Sequence, residues 1–240
     1  MRILVLSDIH ANLTALQAVL AHAGAVDAVW CLGDVVGYGP DPNECIDCLA
    51  ALPNLVCLQG NHDAAAIGQL PLGSFNVEAR TSMEWLRENL AADSLAFLTG
   101  LQPLRLEQGT TLAHASPRQP VLEYLLDSYS ALENFDFFDT PFCFVGHTHV
   151  PVLFTKHGVG VNLQVPENDA EFVLQERCIA NPGSVGQPRD RDPRAAYALF
   201  DPETAVWQHL RVPYAIAEVQ ARMQAAGLPE RHVSRLEGGW

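Results

Sequence analysis

Carboxylates, amides and imidazoles recur in this chain at one kind of position, directly after a short apolar run. Asp8 and His10 follow Ile3 to Leu6, Asp34 follows Ala28 to Leu32, and Asn61 and His62 follow Leu55 to Leu58. His114 follows Thr111 to Ala113, and His147 and His149 follow Phe142 to Val145. Five of the nine histidines are of this kind; His22, His157, His209 and His232 lie elsewhere and are assigned no role. Taken singly, Asp-x-His, Gly-Asp and Gly-Asn-His-Asp are ordinary turn sequences. Gly-His-Thr-His says more, because alternate residues of an extended segment can direct two imidazoles toward neighbouring ions. The ordered series as a whole is hard to obtain by chance. Carboxylate and imidazole donors without a thiolate suit manganese, iron or zinc, with nickel a further alternative.

The apolar runs read as strands. RILVLSD is a short buried strand, and Asn12 can cap a helix carrying Leu13, Leu16 and Leu20 on one face. After the second run, Asp41 and Glu44 have capping-box spacing, and Pro42 suits the first helical turn. Three strand–helix units in the first ~60 residues indicate an α/β fold with parallel strands at its start. In such sheets, ligand-binding loops gather at the carboxyl ends of the strands. Residues 78–100 read as helical, and so do about 121–138 and 214–226. Between them the pattern is of short strands at Leu104–Leu106, Thr111–Ala113, Phe142–Val145, Val152–Phe154, Phe172–Leu174 and Ala195–Phe200. Residues 156–169, polar and glycine-bearing, read as an exposed loop. With no repeat or long linker, one domain over 1–240 is expected.

Composition narrows the partners. Of 240 residues 48% are hydrophobic and the mean hydropathy is +0.06, enough for a packed core. No run approaches the ~18 apolar residues of a membrane span, and the first residues do not form a signal peptide, so a cytoplasmic protein is expected. The formal net charge of −14, with Lys156 the one lysine, disfavours stable binding to nucleic acid. A small phosphorylated substrate remains compatible if metal ions supply local positive charge. The six cysteines lie mostly in apolar runs and read as reduced core residues; Cys45 and Cys48 form a lone C-x-x-C on a helix.

Asp8-Ile-His10, Gly33-Asp34, Gly60-Asn61-His62-Asp63, His114 and Gly146-His147-Thr148-His149 together resemble the calcineurin-like metallophosphoesterase superfamily. SDIHANLTAL, LGDVVGYGP and NPGSVGQPRD are similar to its small bacterial and archaeal phosphodiesterase-like members, so the likeness covers most of the chain. The resemblance implies a four-layer α/β sandwich, two mixed sheets flanked by helices. It also implies two divalent metal ions, manganese foremost, at one end. Asp8, His10, Asp34 and His149 would hold the first, and Asp34, Asn61, His114 and His147 the second, with Asp34 bridging. Two ions ~3.5–4 Å apart can share a hydroxide and clamp the phosphoryl oxygens during in-line attack on a phosphodiester or phosphomonoester. Four metal charges, less two carboxylates and the hydroxide, leave about +1 to meet the phosphate. His62 would then be free to give a proton to the leaving oxygen or stabilise the transition state.

One feature departs from the family. Many of its phosphatases read Gly-Asp-x-x-Asp-Arg at the second motif, and Gly37 and Tyr38 occupy the last two places here. The usual guanidinium is missing, which favours a diester over a dianionic monoester. Arg118, Arg189 and Arg194 are the candidate replacements, and Tyr38 could stack on a base or aryl group. Asn181, Pro182 and Gly183 are expected to shape a turn beside the site. A rival reading is a non-catalytic scaffold like the retromer subunit on this fold, which lacks the histidine of the Asn-His motif; the presence of His62 favours an enzyme.

Overall fold

The computed structural model describes residues 1–240. It opens with the expected units: β1 (Ile3–Leu6), α1 (Leu13–Ala23), β2 (Ala28–Cys31), α2 (Pro42–Ala50) and β3 (Leu55–Cys57). Asn12 caps α1, its side-chain oxygen accepting the Ala15 N–H at 3.0 Å. Pro42 takes the first turn of α2, but the expected capping box at Asp41 does not form. The Asp41 carboxylate instead accepts Nε and Nη2 of Arg222 at 2.9 and 2.8 Å, a charged two-point contact that outcompetes a backbone N–H.

Next come α3 (Asn61–Ala66), α4 (Val77–Asn89), α5 (Ala92–Thr99), β4 (Leu104–Glu107), β5 (Thr110–Ala113), α6 (Ser128–Asn134) and β6 (Phe142–Phe144). The chain ends with β7 (Val152–His157), β8 (Gly160–Gln164), β9 (Glu171–Val173), β10 (Cys178–Asn181), β11 (Ala195–Asp201), β12 (Val206–Val212), α7 (Ile216–Ala225) and α8 (Glu230–Gly238). The strands form two six-stranded mixed sheets, ordered β3-β2-β1-β11-β12-β9 and β4-β5-β6-β10-β7-β8. β1, β2 and β3 are parallel in the first, and β5, β6 and β10 in the second.

Side chains alternate across the pleat, so each central strand feeds two cores. Ile3, Val5 and Trp30 point between the sheets and meet Phe144, Phe200 and Trp207. Leu4, Leu6, Val29 and Cys31 face the other way, toward Leu16, Ile46 and Leu49 of the helical layer. Cys143 and Ile179 pack outward on the second sheet with Phe135 and Phe138. The architecture is therefore the four-layer sandwich: helices, sheet, sheet, helices. No helix is long and apolar enough to cross a membrane.

Three expectations are corrected. Residues 156–164 are not an open loop, whereas 165–169 are irregular as expected: β7 and β8 form a hairpin in which Lys156 pairs with Val161 and His157 with Gly160. β8 is an edge strand wetted on most of its length, so it carries polar residues and reads as a loop. The helix expected over 121–138 is confined to α6 and a 3-10 turn at Phe135–Phe137. Asp127 caps it by accepting the Ser130 N–H at 2.8 Å, and Leu122, Leu125 and Leu126 before it have the spacing of a helical stripe without forming one. Strands β10 and β12 and helix α8 add elements that the apolar pattern did not reveal.

Phe144 is fully buried between the sheets, so Phe144→Ala should cost about 3–5 kcal/mol and lower the melting temperature by roughly 6–20 °C. Leu106→Ser, on an exposed position of β4, should stay within about 0.5 kcal/mol of wild type in the same scan.

Candidate metal centre

The carboxyl ends of the parallel strands of both sheets open on one place. β1 delivers Asp8 and His10, β2 delivers Asp34, β3 leads into Asn61 and His62, β5 into His114, and β6 into His147 and His149. Asp34 Oδ2 lies 3.6 Å from His10 Nε2 and 3.5 Å from His114 Nε2, between the two groups of donors. Asp8 Oδ1 is 3.3 Å from His149 Nε2 and 3.8 Å from His10 Nε2. Asn61 Oδ1 is 3.2 Å from His114 Nε2. Asp8, His10 and His149 form one set of donors that could hold a metal ion, Asp34, His114 and His147 another, and His10, Asp34 and His62 a third that overlaps both. All seven residues singled out in the sequence thus converge, and His62 borders them beside His10 and Asp34.

The imidazoles are turned by main-chain carbonyls. Nδ1 of His10, His114 and His149 lies 3.1, 2.9 and 2.6 Å from the carbonyl oxygens of Val36, Leu32 and Gln187. A carbonyl only accepts, so each ring carries its proton on Nδ1 and presents the Nε2 lone pair to the centre. His10 Nε2 consequently faces His149 Nε2 at 3.1 Å with no proton to share. Asp8 Oδ1 and His147 Nε2 are buried without a partner. A cluster of buried acceptors aimed at one another suits a cation, which every one of them can ligate. Burial pushes the Asp8 carboxyl up to about 7 and Asp34 well above the usual carboxylate range. It pulls His10 and His149 well below the usual imidazole range and His147 down to about 2. Divalent ions would offset the charge that burial opposes on the carboxylates, and neutral imidazoles are the form that binds metal.

Five of the seven donors have left-handed backbone: Asp8 (φ 53°), His10 (49°), Asp34 (54°), His147 (64°) and His149 (61°). This region is sparsely used by residues with a Cβ, and each such residue costs on the order of 1–3 kcal/mol unless its surroundings hold it. They do so here. The N–H groups of Asp8 and His10 donate to the carbonyls of Gly33 and Asp34, both at 3.0 Å, and the His147 N–H donates to Asp8 Oδ2 at 3.0 Å. Gly60 is required by space: a Cβ there would run into the Asp34 carboxylate.

Several supporting residues escaped sequence reasoning. Asp63, the last residue of the Gly-Asn-His-Asp motif, is buried and accepts the N–H groups of Asp34, Gly60 and Val36 at 2.8, 2.9 and 3.1 Å. It thereby ties the turn after β2 to the turn after β3; its place in the motif was the available signal. Ser184 Oγ donates to the Asp8 carbonyl at 2.7 Å. The Asn181-Pro182-Gly183 turn does lie beside the centre: Asn181 Nδ2 donates to the Gly146 carbonyl at 2.8 Å and lies 3.0 Å from Thr148 Oγ1.

The remaining candidates separate. Arg189 reaches a cleft of about 190 Å³ beside the centre, together with Tyr38, His62 and Tyr124. Arg118 and Arg194 do not line it. Arg118 is engaged by Glu123 and Glu133, and Arg194 by Asp192, so neither guanidinium is turned to the centre. Tyr38 is not free to stack: its ring stands 4.4, 4.7 and 4.7 Å from those of His62, His10 and His232, with the Arg189 guanidinium 5.8 Å away over its face. His62 donates its N–H to Asp34 Oδ1 at 2.8 Å, and its Nδ1 lies 3.2 Å from Met83 Sδ. Burial holds its imidazole neutral, well below the ordinary range.

Comparison with known proteins agrees with this layout. The family model for the calcineurin-like phosphoesterase superfamily domain matches residues 1–205. An uncharacterized protein of Methanocaldococcus jannaschii is 36% identical over 236 residues, covering 95% of this chain and 94% of the relative. A metallophosphoesterase from Sphaerobacter thermophilus superposes with a TM-score of 0.92 at 46% identity, covering 100% of this chain and 99% of that one. A hypothetical protein from Pyrococcus horikoshii has the same fold, with a TM-score of 0.82 at 20% identity and coverage of 100% and 98%.

Asp34 stands within reach of both donor groups, so Asp34→Asn should weaken metal uptake at both together. With Mn²⁺ at ~100 times its dissociation constant, the wild type should gain about 2.7 kcal/mol of stability per site, reversed by chelator. In Asp34→Asn most of that gain should vanish, read as the shift in melting temperature and as metal content after desalting. Unchanged metal content would show that Asp34 bridges nothing.

Proposed function

The chain belongs to the calcineurin-like phosphoesterase superfamily, and on that premise we propose that it is a dinuclear metal-dependent hydrolase of small phosphate esters, with diesters preferred. The observation that carries the reading is the Asp34 carboxylate oxygen, 3.6 and 3.5 Å from imidazole nitrogens of the two donor groups. On this reading Asp8, His10, Asp34 and His149 hold the first ion, and Asp34, Asn61, His114 and His147 the second. Manganese is the first choice for both, with iron, zinc and nickel also compatible with the donor set. When bound, the ions would supply Lewis-acid charge to the phosphoryl oxygens and lower the pKa of the attacking water. The six cysteines are unpaired, which supports a reducing, cytoplasmic setting.

Arg189 is the phosphate-binding cation in this scheme. Its Nη2 donates to the neutral Gln187 Oε1 at 2.9 Å, its Nε is buried without a partner, and no carboxylate pairs with it. It lines the cleft together with Asp34, Asn61, His62, His147 and His149, which puts its charge beside the centre. One guanidinium matches the single negative charge of a diester and leaves the second charge of a monoester uncompensated. His62 touches the reacting groups on this reading. A thioether only accepts, so the His62 N–H is on Nδ1 toward Met83 and Nε2 is open to take a proton and pass it to the leaving oxygen.

Arg189→Ala should lower kcat/KM for an aryl diester by about 10- to 100-fold, the range for losing a hydrogen bond to a charged group. Arg118→Ala should leave it unchanged, since Glu123 and Glu133 occupy that side chain. Equal effects of the two changes would remove Arg189 from the site.

His62→Gln should retain metal while losing about 10²–10⁴-fold in turnover on an alkyl ester, and markedly less on a nitrophenyl ester whose leaving group needs little protonation. A loss that ignores the leaving group would reassign His62 to a purely structural part.

A further inference from the structure

We propose that the cleft beside the metal centre is a binding subsite for one flat ring, so that the substrates are phosphate esters carrying a single aryl group or nucleobase. This deepens the phosphoesterase reading and rests on it. Away from the histidines, the cleft wall carries four large apolar or aromatic side chains beside the polar Ser74 and Asn76: Leu70 and Phe75 come from the segment between α3 and α4, and Leu122 and Tyr124 from the segment before α6. Phe75 stands edge-on to His62 with ring centres 4.9 Å apart, and Tyr124 lies at 34° to His147 with centres 4.1 Å apart. Rings held this close to the proposed catalytic and metal-binding histidines lie within reach of a group attached to the reacting phosphate.

Leu70 and Phe75 are half-buried and also pack against the helical-side core, whereas Leu122 and Tyr124 are not spent on a core. Leu122 is 47% exposed and Tyr124 48%, on an irregular segment where a polar residue would serve the fold equally well. Scattered apolar residues on a surface are ordinary, whereas four converging on one concave wall beside reactive groups form a binding surface. One face of Tyr124 covers His147, and the exposed part of the ring remains available for stacking. At about 190 Å³ the cleft is smaller than the ~300–1,000 Å³ of sites for drug-sized ligands, so it holds one ring system. Arg189 is the one cation lining it, which leaves no counter-charge for a run of further phosphates. The Arg189 guanidinium also lies beside the hydroxyls of Tyr38 and Tyr124, so phosphate and ring would be held by adjacent groups.

The test is equilibrium binding by calorimetry to the Mn²⁺-loaded protein. Methylphosphonate and ribose 5-phosphate serve as ringless ligands. Phenylphosphonate and adenosine 5′-monophosphate are their ring-bearing counterparts. A ring-bearing ligand should bind about three- to tenfold more tightly than its counterpart, the range of an aromatic contact. The pair with the larger ratio tells whether the ring sits directly on phosphorus or one sugar away. Tyr124→Ala should bring that ratio toward one, while Tyr124→Phe, which keeps the ring and drops the hydroxyl near Arg189, should preserve it. Equal affinities in the wild type, or a ratio indifferent to Tyr124→Ala, would overturn the subsite and leave the phosphoesterase reading standing. Failure of every phosphorus ligand to bind the metal-loaded protein would overturn both.

Discussion

Asp8 and Asp34 are fully buried in a wall of imidazole lone pairs, and water cannot solvate either charge there. An unpaired buried acceptor costs about 1–3 kcal/mol, and a charged one more. The centre therefore stores unfavourable free energy that divalent cations can offset, and the surrounding structure must hold the donors together without them. Main-chain groups do most of that holding. Three carbonyls fix the imidazole tautomers, three N–H groups end on Asp63, and the His147 N–H ends on Asp8. Because backbone groups supply these contacts, the ring orientations follow from the path of the turns rather than from side chains free to rotate.

That path is made possible by the parallel strands. A parallel strand ends where its neighbour ends, so β1, β2 and β3 release their turns side by side, and β5, β6 and β10 do the same in the facing sheet. Each turn must reverse within one or two residues of its strand, which is why the left-handed backbone collects at the donors and why glycine precedes Asp34, Asn61 and His147. The strain is local, and two packed cores beneath the turns outweigh it.

What could be read from the sequence follows from this arrangement. A donor at a strand end leaves a signature that is both local and periodic, so Asp8, His10, Asp34, Asn61, His114, His147 and His149 were legible, and with them the α/β sandwich. Contacts between distant segments leave none. Glu133, 15 residues from Arg118, was invisible for that reason, and so was the enclosure of Tyr38 by three histidines; Glu123 and Asp192, five and two residues from their arginines, are local partners. The β7–β8 hairpin failed differently: Val161 and Leu163 do alternate with Asn162 and Gln164, but the strand is short, begins at a glycine turn and lies at a wetted edge, so its polar residues dominate the reading. Leu122, Leu125 and Leu126 misled in the opposite sense, since they have the i, i+3, i+4 spacing of a helix stripe on a segment that stays irregular.

The departure at Gly37-Tyr38 has a physical basis in the same contacts. Gly37 has φ +100°, and a Cβ there would strike the His62 ring, so the aspartate of the common motif has no room beside this histidine. Tyr38 then fills the space between His10, His62 and His232 and braces the rings by packing where the motif would use charge. Its aromatic face also bears the guanidinium of Arg189, which enters from the loop after β10. Gln187 joins that loop to α8, its Oε1 accepting from both Arg189 and Arg235 at 2.9 and 3.0 Å. Burial and the nearby Arg189 charge pull Arg235 down to about 10. Gln187 neutralises neither cation, so under the proposed function Arg189 would supply the positive charge missing from the second motif. On this reading the C-terminal helix, which carries none of the metal-binding residues, belongs to the site because it holds Arg189 in place.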